Sequence, residues 1–353
     1  MGSARSSHGS RCRLALGVLL AWPLLAAATV DRLHEGVNLG VRFEAYSPLA
    51  RTRELFARSL NPLGERRALA RYAQRRLEVP EYTVDLAEEE FAVFVPKAPP
   101  PPQGYGLLVY VAPWQQATVP RRWQGVFERT GIIYVSAARS GNPEPELPRR
   151  MALALHGYGN IVARYHIDAE RVYVGGFSGG ARIAEVLALA YPDVFHGAVL
   201  DGSSDRIGTP LALLPPPHLL ELAQQRLRLV YVYGADDSYN AAQARYSMQS
   251  AATWCLPPTY RLVMAGRGHE PADAPTLLRA LRLQEPAHEP APPAATCRAR
   301  HARQLHDEVA AVDAMLAAGE RDAASTALRA LDAAWAQSAG DDIRRLADAL
   351  HYQ

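Results

Sequence analysis

The feature that most restricts the fold of this chain is a regular alternation of short apolar runs and helical patterns. The runs are too short for helices and are predicted to be strands, and Tyr105–Val111 and Gly131–Ser136 have the continuous apolar pattern of buried strands. In chain order the runs are Tyr105–Val111, Gly131–Ser136, Arg171–Val174, Gly197–Leu200, Leu229–Tyr233 and Tyr260–Met264. The helices predicted between them cover residues 123–129, 150–165, 181–191, 219–226 and 240–252. Strand and helix in turn predict an α/β fold with a doubly wound, mostly parallel sheet.

The first thirty residues differ in kind from the rest. Three arginines precede an uncharged run, Leu14–Val30, and no acidic residue comes before Asp31. Ala26–Ala28 offers the small residues that a signal peptidase needs, and the run is short for a membrane span and contains Pro23. We therefore expect residues 1–29 to be a cleaved signal peptide and the protein to be periplasmic or secreted. An uncleaved N-terminal anchor is the alternative.

Two cysteines, Cys255 and Cys297, remain once the signal peptide is removed. An even number of cysteines in an oxidising compartment is compatible with a disulfide bond. Two buried free thiols fit the same sequence, so both states stay open at this point.

The segments outside the alternation have their own patterns. Residues 30–81 are predicted to be helical or irregular, with a helical pattern over Thr52–Arg76 that is interrupted at Asn61–Gly64. The main domain is predicted over residues 82–283, beginning with a hairpin of the strands Tyr82–Leu86 and Phe91–Val95.

The C-terminal part of the chain has no strand signals. Residues 284–296 are rich in proline and alanine and are predicted to be a linker. Residues 297–353 are predicted to be a helical extension, with helices over His306–Ala317, Asp322–Ala336 and Asp341–His351. We expect this extension to pack on the main domain or on a partner.

One predicted strand leads directly into a glycine-rich turn, Gly176–Gly180, which has the pattern G-x-S-x-G and opens a helix. A serine at such a strand-to-helix turn is exposed as a nucleophile, and the glycines give the clearance that the turn needs. The helix that follows points its first N–H groups at the turn, so Gly179 is the expected first donor to an oxyanion. Ser178 is therefore the candidate nucleophile.

A phosphate-binding loop is the competing interpretation of this turn. Phe177 stands where a dinucleotide motif needs its second glycine if Gly175 is the first, and the turn has no P-loop lysine. The sequence also has no clustered metal-ligand spacing. We expect neither a cofactor nor a metal.

A serine nucleophile needs a histidine base, and eleven histidines are available. Most of them lie in predicted helices, near the N-terminus or in the C-terminal extension. His269 is different, because it lies in the glycine-rich loop Gly266–Pro271 directly after the last strand. Catalytic groups of open α/β sheets gather at this carboxyl edge, so His269 is the candidate base.

The acid that orients the histidine is expected between the two in chain order. The strand Leu229–Tyr233 is followed by Asp236 and Asp237, and Asp237 is the candidate because the chain can turn before presenting it. Asp236 is expected to be a turn residue. The order Ser178, Asp237, His269 is characteristic of α/β-hydrolases.

These motifs together resemble the α/β-hydrolase superfamily, closest to the exported serine esterases grouped with polyhydroxybutyrate depolymerases and feruloyl esterases. The resemblance extends over roughly residues 82–283 and is carried by Ile167–Val174, Gly176–Gly180, Tyr191–Phe195, Gly234–Asp237 and Gly266–His269. It implies an ester hydrolase with a Ser-Asp-His triad. Relatives commonly have His-Gly after the strand that supplies the second oxyanion amide, whereas this chain has Ala112-Pro113-Trp114. Because proline has no N–H, Trp114 or a neighbouring residue is the expected second donor.

The function that follows is an exported serine hydrolase that cleaves a carboxylic ester, small or polymeric, through an acyl-enzyme. A serine peptidase with the same triad and a non-catalytic binding protein on a hydrolase scaffold are the alternatives. The net charge of +2 gives no electrostatic basis for binding nucleic acid. After signal removal, no stretch is apolar enough to span a membrane.

Overall fold

The structure, a computed structural model, describes Gly2 and residues 32–144, 147–285 and 295–352. The predicted signal peptide, Gly2 apart, and residues 286–294 of the predicted linker lie outside the described residues. Along the described residues, no helix is both long enough and apolar enough to cross a membrane.

Eight strands form one sheet in the order β1-β2-β4-β3-β5-β6-β7-β8. The strands are β1 Gly36–Val41, β2 Phe91–Val95, β3 Tyr105–Val111, β4 Ile132–Ala137, β5 Ile167–Phe177, β6 Gly197–Asp201, β7 Arg228–Gly234 and β8 Tyr260–Met264. Only the β1–β2 and β2–β4 pairs are antiparallel. Strands β3 to β8 all run parallel, which confirms the predicted mostly parallel α/β fold.

Helices connect the parallel strands and cover both faces of the sheet. They are α1 Thr52–Ser59, α2 Pro62–Gln74, α3 Arg121–Thr130, α4 Leu147–Arg164, α5 Gly179–Ala190, α6 Pro217–Arg226, α7 Ser238–Thr253, α8 Ala274–Gln284, α9 Ala295–Ala317, α10 Arg321–Trp335 and α11 Gly340–Ala349. Helix α8 was not predicted. Its N-cap is Asp273, whose side chain accepts a hydrogen bond from the N–H of Thr276 at 2.8 Å, and the helix buries Leu277 and Leu281.

The prediction of a hairpin between Tyr82–Leu86 and Phe91–Val95 is wrong. Strand β2 instead pairs with β1, which lies in the segment predicted to be helical or irregular. Tyr82 forms only an isolated bridge with Arg51, and Leu86–Glu88 is a short 3-10 helix. Asp85 favours that turn over a strand, because its carboxylate accepts a hydrogen bond from the N–H of Ala87.

Two apolar layers enclose the sheet. Alternate residues of β3 belong to different layers, with Leu107 and Val109 in one and Leu108 and Tyr110 in the other. This alternation follows from the period of two in a strand, and it makes β3 apolar on both faces. The buried centre of the sheet thus gives a rigid base to the loops at its carboxyl edge.

The C-terminal helices α9, α10 and α11 form a third apolar cluster that includes Leu63 of α2. Asp332 is buried at this contact and accepts hydrogen bonds from the N–H of Leu63 and from the side chain of Asn61. Cys255 and Cys297 form a disulfide bond, which ties the start of α9 to the end of α7. The extension therefore packs on the main domain.

Candidate active site

Ser178 lies at the turn between β5 and α5, with φ 52° and ψ −125°. This is a left-handed backbone conformation that a residue with a side chain rarely adopts. The N–H of Ser178 donates to the carbonyl of Asp201 at 2.8 Å, which holds the turn against the end of β6. A Cβ atom on Gly180 would overlap the carbonyl oxygen of Val111, and one on Gly176 would overlap Gly180. The tight turn therefore needs both glycines.

His269 lies in the loop after β8 and faces the serine. Its Nε2 atom is 2.9 Å from Oγ of Ser178, and its Nδ1 atom is 2.8 Å from Oδ2 of Asp237. The ring of Phe177 packs on the imidazole with ring centroids 4.7 Å apart. Gly202, at φ +67°, allows this approach, because a Cβ there would lie 3.1 Å from Cε1 of His269. The imidazole is thus held by packing as well as by hydrogen bonds.

Asp237 follows β7 and caps α7, so one carboxylate serves both the helix and the histidine. Its Oδ1 atom accepts hydrogen bonds from the backbone N–H of Asn240 at 3.3 Å and from Nδ2 of Asn240 at 3.0 Å. Nδ2 also lies 2.8 Å from Oδ2. Burial opposes ionisation of this carboxyl, but the hydrogen bonds from Asn240 and His269 outweigh it and lower the pKa of Asp237. Asp236 is exposed.

Sequence reasoning missed Asn240, although its position three residues into the helix after an aspartate cap is a recognisable signal. Its Nδ2 atom also lies 3.1 Å from Nδ1 of His269. When Nδ1 of His269 carries a proton and donates a hydrogen bond to Asp237, Nδ1 and Nδ2 of Asn240 are both donors, so their contact is not a hydrogen bond. Asn240 therefore acts on the histidine through Asp237.

The two residues predicted to hold an oxyanion lie in different elements. Gly179 is the first residue of α5, so its N–H is one of the helix N–H groups without an intrahelical acceptor. Trp114 lies in the loop after β3, half-buried against the apolar layer that contains Tyr110. The end of β3 and the start of this loop abut the serine turn, because a Cβ atom on Gly180 would overlap the carbonyl oxygen of Val111 and would lie 3.2 Å from the carbonyl carbon of Ala112.

Two further acids near the site have other partners. Asp201 is buried at the end of β6 and accepts a hydrogen bond from the N–H of Ala272 at 2.7 Å, while burial raises its pKa to about 8. The N–H of Asp205 donates to Glu185 of α5 at 2.6 Å. Glu185 also accepts from the hydroxyl of Ser247 on α7, and its complete burial raises its pKa to about 8.

The described residues contain one group that could offer three ligands to a metal ion, Cys255, Cys297 and His301. Both sulfur atoms of this group are joined in the disulfide bond. Thiolates are the metal-binding form of cysteine, so the oxidised pair leaves only the imidazole as a ligand.

The strand order and the positions of the serine after β5, the carboxylate after β7 and the histidine after β8 define the class of α/β-hydrolases. Residues 152–207, which contain the serine turn, match the sequence profile of the esterase PHB depolymerase family. This match confirms the resemblance predicted from the sequence. No curated protein matches the chain.

Solved structures similar to this chain include a thermostable esterase, a puromycin-hydrolysing peptidase of Mycobacterium tuberculosis and an acetyl xylan esterase of Aspergillus awamori. Their sequence identities are 14%, 18% and 15%, with TM-scores of 0.38, 0.41 and 0.41. The similar regions cover 56%, 55% and 56% of this chain and 57%, 36% and 94% of the three structures. This chain thus spans less than two thirds of the length of the first two.

Proposed function

We propose that this protein is a serine hydrolase that cleaves a carboxylic ester through an acyl-enzyme intermediate. The observation that carries the proposal is the line of hydrogen-bonding contacts from Asp237 through His269 to Ser178, at 2.8 Å and 2.9 Å. A serine hydroxyl becomes a useful nucleophile only when a base within hydrogen-bond reach takes its proton. Asp237, His269 and Ser178 meet that requirement.

In the proposed reaction, Oγ of Ser178 attacks the ester carbonyl while Nε2 of His269 takes the hydroxyl proton. The N–H of Gly179 donates to the oxyanion that forms on the carbonyl oxygen. The carbon–oxygen bond to the alcohol then breaks, and His269 returns the proton to the leaving alcohol. Water attacks the resulting acyl-enzyme with the same help from His269, which releases the acid and restores Ser178.

The low pKa of Asp237 supports its part in this cycle. An ionised Asp237 accepts a hydrogen bond from Nδ1–H of His269, which keeps the ring proton on Nδ1 and leaves Nε2 free to accept the proton of Ser178. The same negative charge stabilises the imidazolium that exists between the two proton transfers.

The match of residues 152–207 to an esterase family favours an ester over a peptide substrate. A peptidase would use the same triad and is the second candidate, because the chemistry of attack is the same for both bonds. Parallel assays on aryl and short-chain esters and on peptide amides distinguish the two.

We further propose that the protein works outside the cytoplasm, in the periplasm or as a secreted enzyme. The signal-like pattern of residues 1–29 and the disulfide bond of Cys255 with Cys297 support this location, because disulfides persist in oxidising compartments. Fractionation of the native host, with N-terminal sequencing of the mature chain, tests it.

A fluorophosphonate probe tests the proposed activity directly. We expect the probe to label the wild-type protein and the label to map to Ser178, while Ser178→Ala folds normally and neither labels nor hydrolyses esters. A folded wild-type protein that neither labels nor turns over any ester would refute the proposal and favour a non-catalytic binding protein.

A further inference from the structure

The loop after β4 brings an exposed side-chain amide, Asn142, to the serine turn. A Cβ atom on Gly179 would overlap the side-chain oxygen of Asn142 and would lie 2.9 Å from its Cγ and 3.2 Å from its Nδ2. The amide therefore rests directly on the residue that gives the first oxyanion N–H. Because Asn142 is exposed, a bound substrate can reach it.

This loop is also joined to the loop after β3, where the second oxyanion donor was expected. The backbone N–H of Asn142 donates to the carbonyl of Pro113 at 2.8 Å. A Cβ atom on Gly141 would lie 2.6 Å from the carbonyl carbon of Trp114, so the two loops approach as closely as their backbones allow. Gln115 supports the contact by accepting a hydrogen bond from the N–H of Gly141. Asn142 is thus fixed at its backbone.

Pro113 cannot donate a hydrogen bond, so the loop after β3 has one N–H fewer than its length would provide. A side-chain amide has two N–H donors and can take the place of a backbone amide in an oxyanion hole. Asn142 is the side chain with such donors that the structure places against Gly179. A side chain at position 179 would displace this amide.

We infer that the side-chain amide of Asn142 donates a hydrogen bond to the oxyanion, beside the N–H of Gly179. The inference rests on the proposed function, because an oxyanion forms only if Ser178 attacks a carbonyl. Asn142 acts in the transition state more than in substrate binding, so its loss should lower kcat and leave KM nearly unchanged.

The first test measures kcat and KM for Asn142→Ala and Asn142→Asp on an aryl ester that the wild-type enzyme hydrolyses. Removal of one oxyanion donor costs about 10²–10³-fold in kcat, and this is the loss expected for Asn142→Ala. Asn142→Asp keeps the shape but replaces donors with a negative charge, so its kcat should be lower still. The affinity of an alkyl trifluoromethyl ketone, which forms an oxyanion on Ser178, should fall in parallel with kcat/KM.

Gln115→Ala is the matched control for the loop. This substitution removes the side-chain oxygen that accepts a hydrogen bond from the N–H of Gly141, but it leaves the side-chain amide of Asn142 in place. We therefore expect kcat to stay within a few-fold of the wild-type value. A circular dichroism melt of each variant shows that it is folded. A loss in Gln115→Ala as large as that in Asn142→Ala would overturn the inference and assign the effect to loop packing.

A double-mutant cycle with Gly179→Ala separates donation from packing. Gly179→Ala keeps the backbone N–H but displaces the amide of Asn142, so its loss in kcat should resemble that of Asn142→Ala. Adding Gly179→Ala to Asn142→Ala should then cost little more. If Asn142 only fills space, Asn142→Ala will be as active as wild type and will rescue Gly179→Ala, and the inference is wrong.

The same measurements distinguish this inference from the proposed function. A wild-type enzyme that depends on Ser178 and is unaffected by Asn142→Ala refutes the role of Asn142 alone. A wild-type protein with no activity that depends on Ser178 refutes both.

Discussion

Replacement of Asp237 by asparagine changes one atom of the carboxylate and should disable the enzyme. The carboxylate accepts hydrogen bonds on both sides, from Nδ2 of Asn240 at 3.0 Å and from Nδ1 of His269 at 2.8 Å. An asparagine at 237 offers one oxygen and one NH₂ group. If its oxygen faces the amide of Asn240, its NH₂ faces Nδ1 of His269 and donates to it. The imidazole must then carry its proton on Nε2, where it cannot accept the proton of Ser178.

The expected loss follows from this wrong tautomer. In a serine triad, the same substitution lowers kcat by about 10⁴-fold, which corresponds to about 5 to 6 kcal/mol of transition-state stabilisation. Because Asp237 is only 9% exposed, water has little access to replace its interactions. We therefore expect the full loss for Asp237→Asn, with folding preserved by the similar shape of the side chain.

Steady-state hydrolysis of an aryl ester measures the effect, and the adjacent Asp236→Asn is the matched control. Asp236 is exposed, and its backbone N–H, which donates to the carbonyl of Arg267, survives the substitution. Its kcat should stay within about tenfold of the wild-type value. A large loss in Asp236→Asn with a mild one in Asp237→Asn would refute the reasoning, and two mild losses would place the orienting carboxylate elsewhere.

Three further predictions concern stability. Burial raises the pKa of Glu185 and of Asp201 to about 8, so the folded chain keeps two protons that the unfolded chain releases. The free energy of unfolding should therefore fall as the pH rises from about 5 to 8, and Glu185→Gln should make that fall about half as steep in urea titrations. Gly180→Ala should lower the melting temperature strongly or prevent folding, whereas Gly268→Ala, with open space at its Cβ, should melt like wild type. Replacing Cys255 and Cys297 with serine opens a bridge between residues 42 apart and should cost roughly 3–4 kcal/mol by chemical denaturation.

The parallel strands could be predicted because their signals are local. The run Tyr105–Val111 is apolar on both faces and follows turn residues, so its local pattern was enough to predict a strand, and the structure has the same bounds. Strand β1 could not be found in this way. It is an edge strand with two glycines and the exposed residue Leu39, so its sequence has neither the apolar run nor the alternation of a buried strand.

The residues of the triad were accessible from the sequence because each follows a strand at the same edge of the sheet. Asn142 was not, because it lies in an irregular loop and reaches Gly179 only through the packing of two loops against each other. Chain order gives no information on such a contact. A side chain that a third loop brings to the site can be identified only from the structure.

The backbone of Ser178 has a consequence for how this protein can be improved in the laboratory. A conformation with φ 52° costs a residue with a side chain about 1–3 kcal/mol and costs glycine almost nothing. A variant library sorted only for thermal tolerance would therefore reward glycine at position 178 and enrich molecules without a nucleophile. Directed evolution of this scaffold has to score turnover in every round, because the most stable chain and the most active chain differ at this residue.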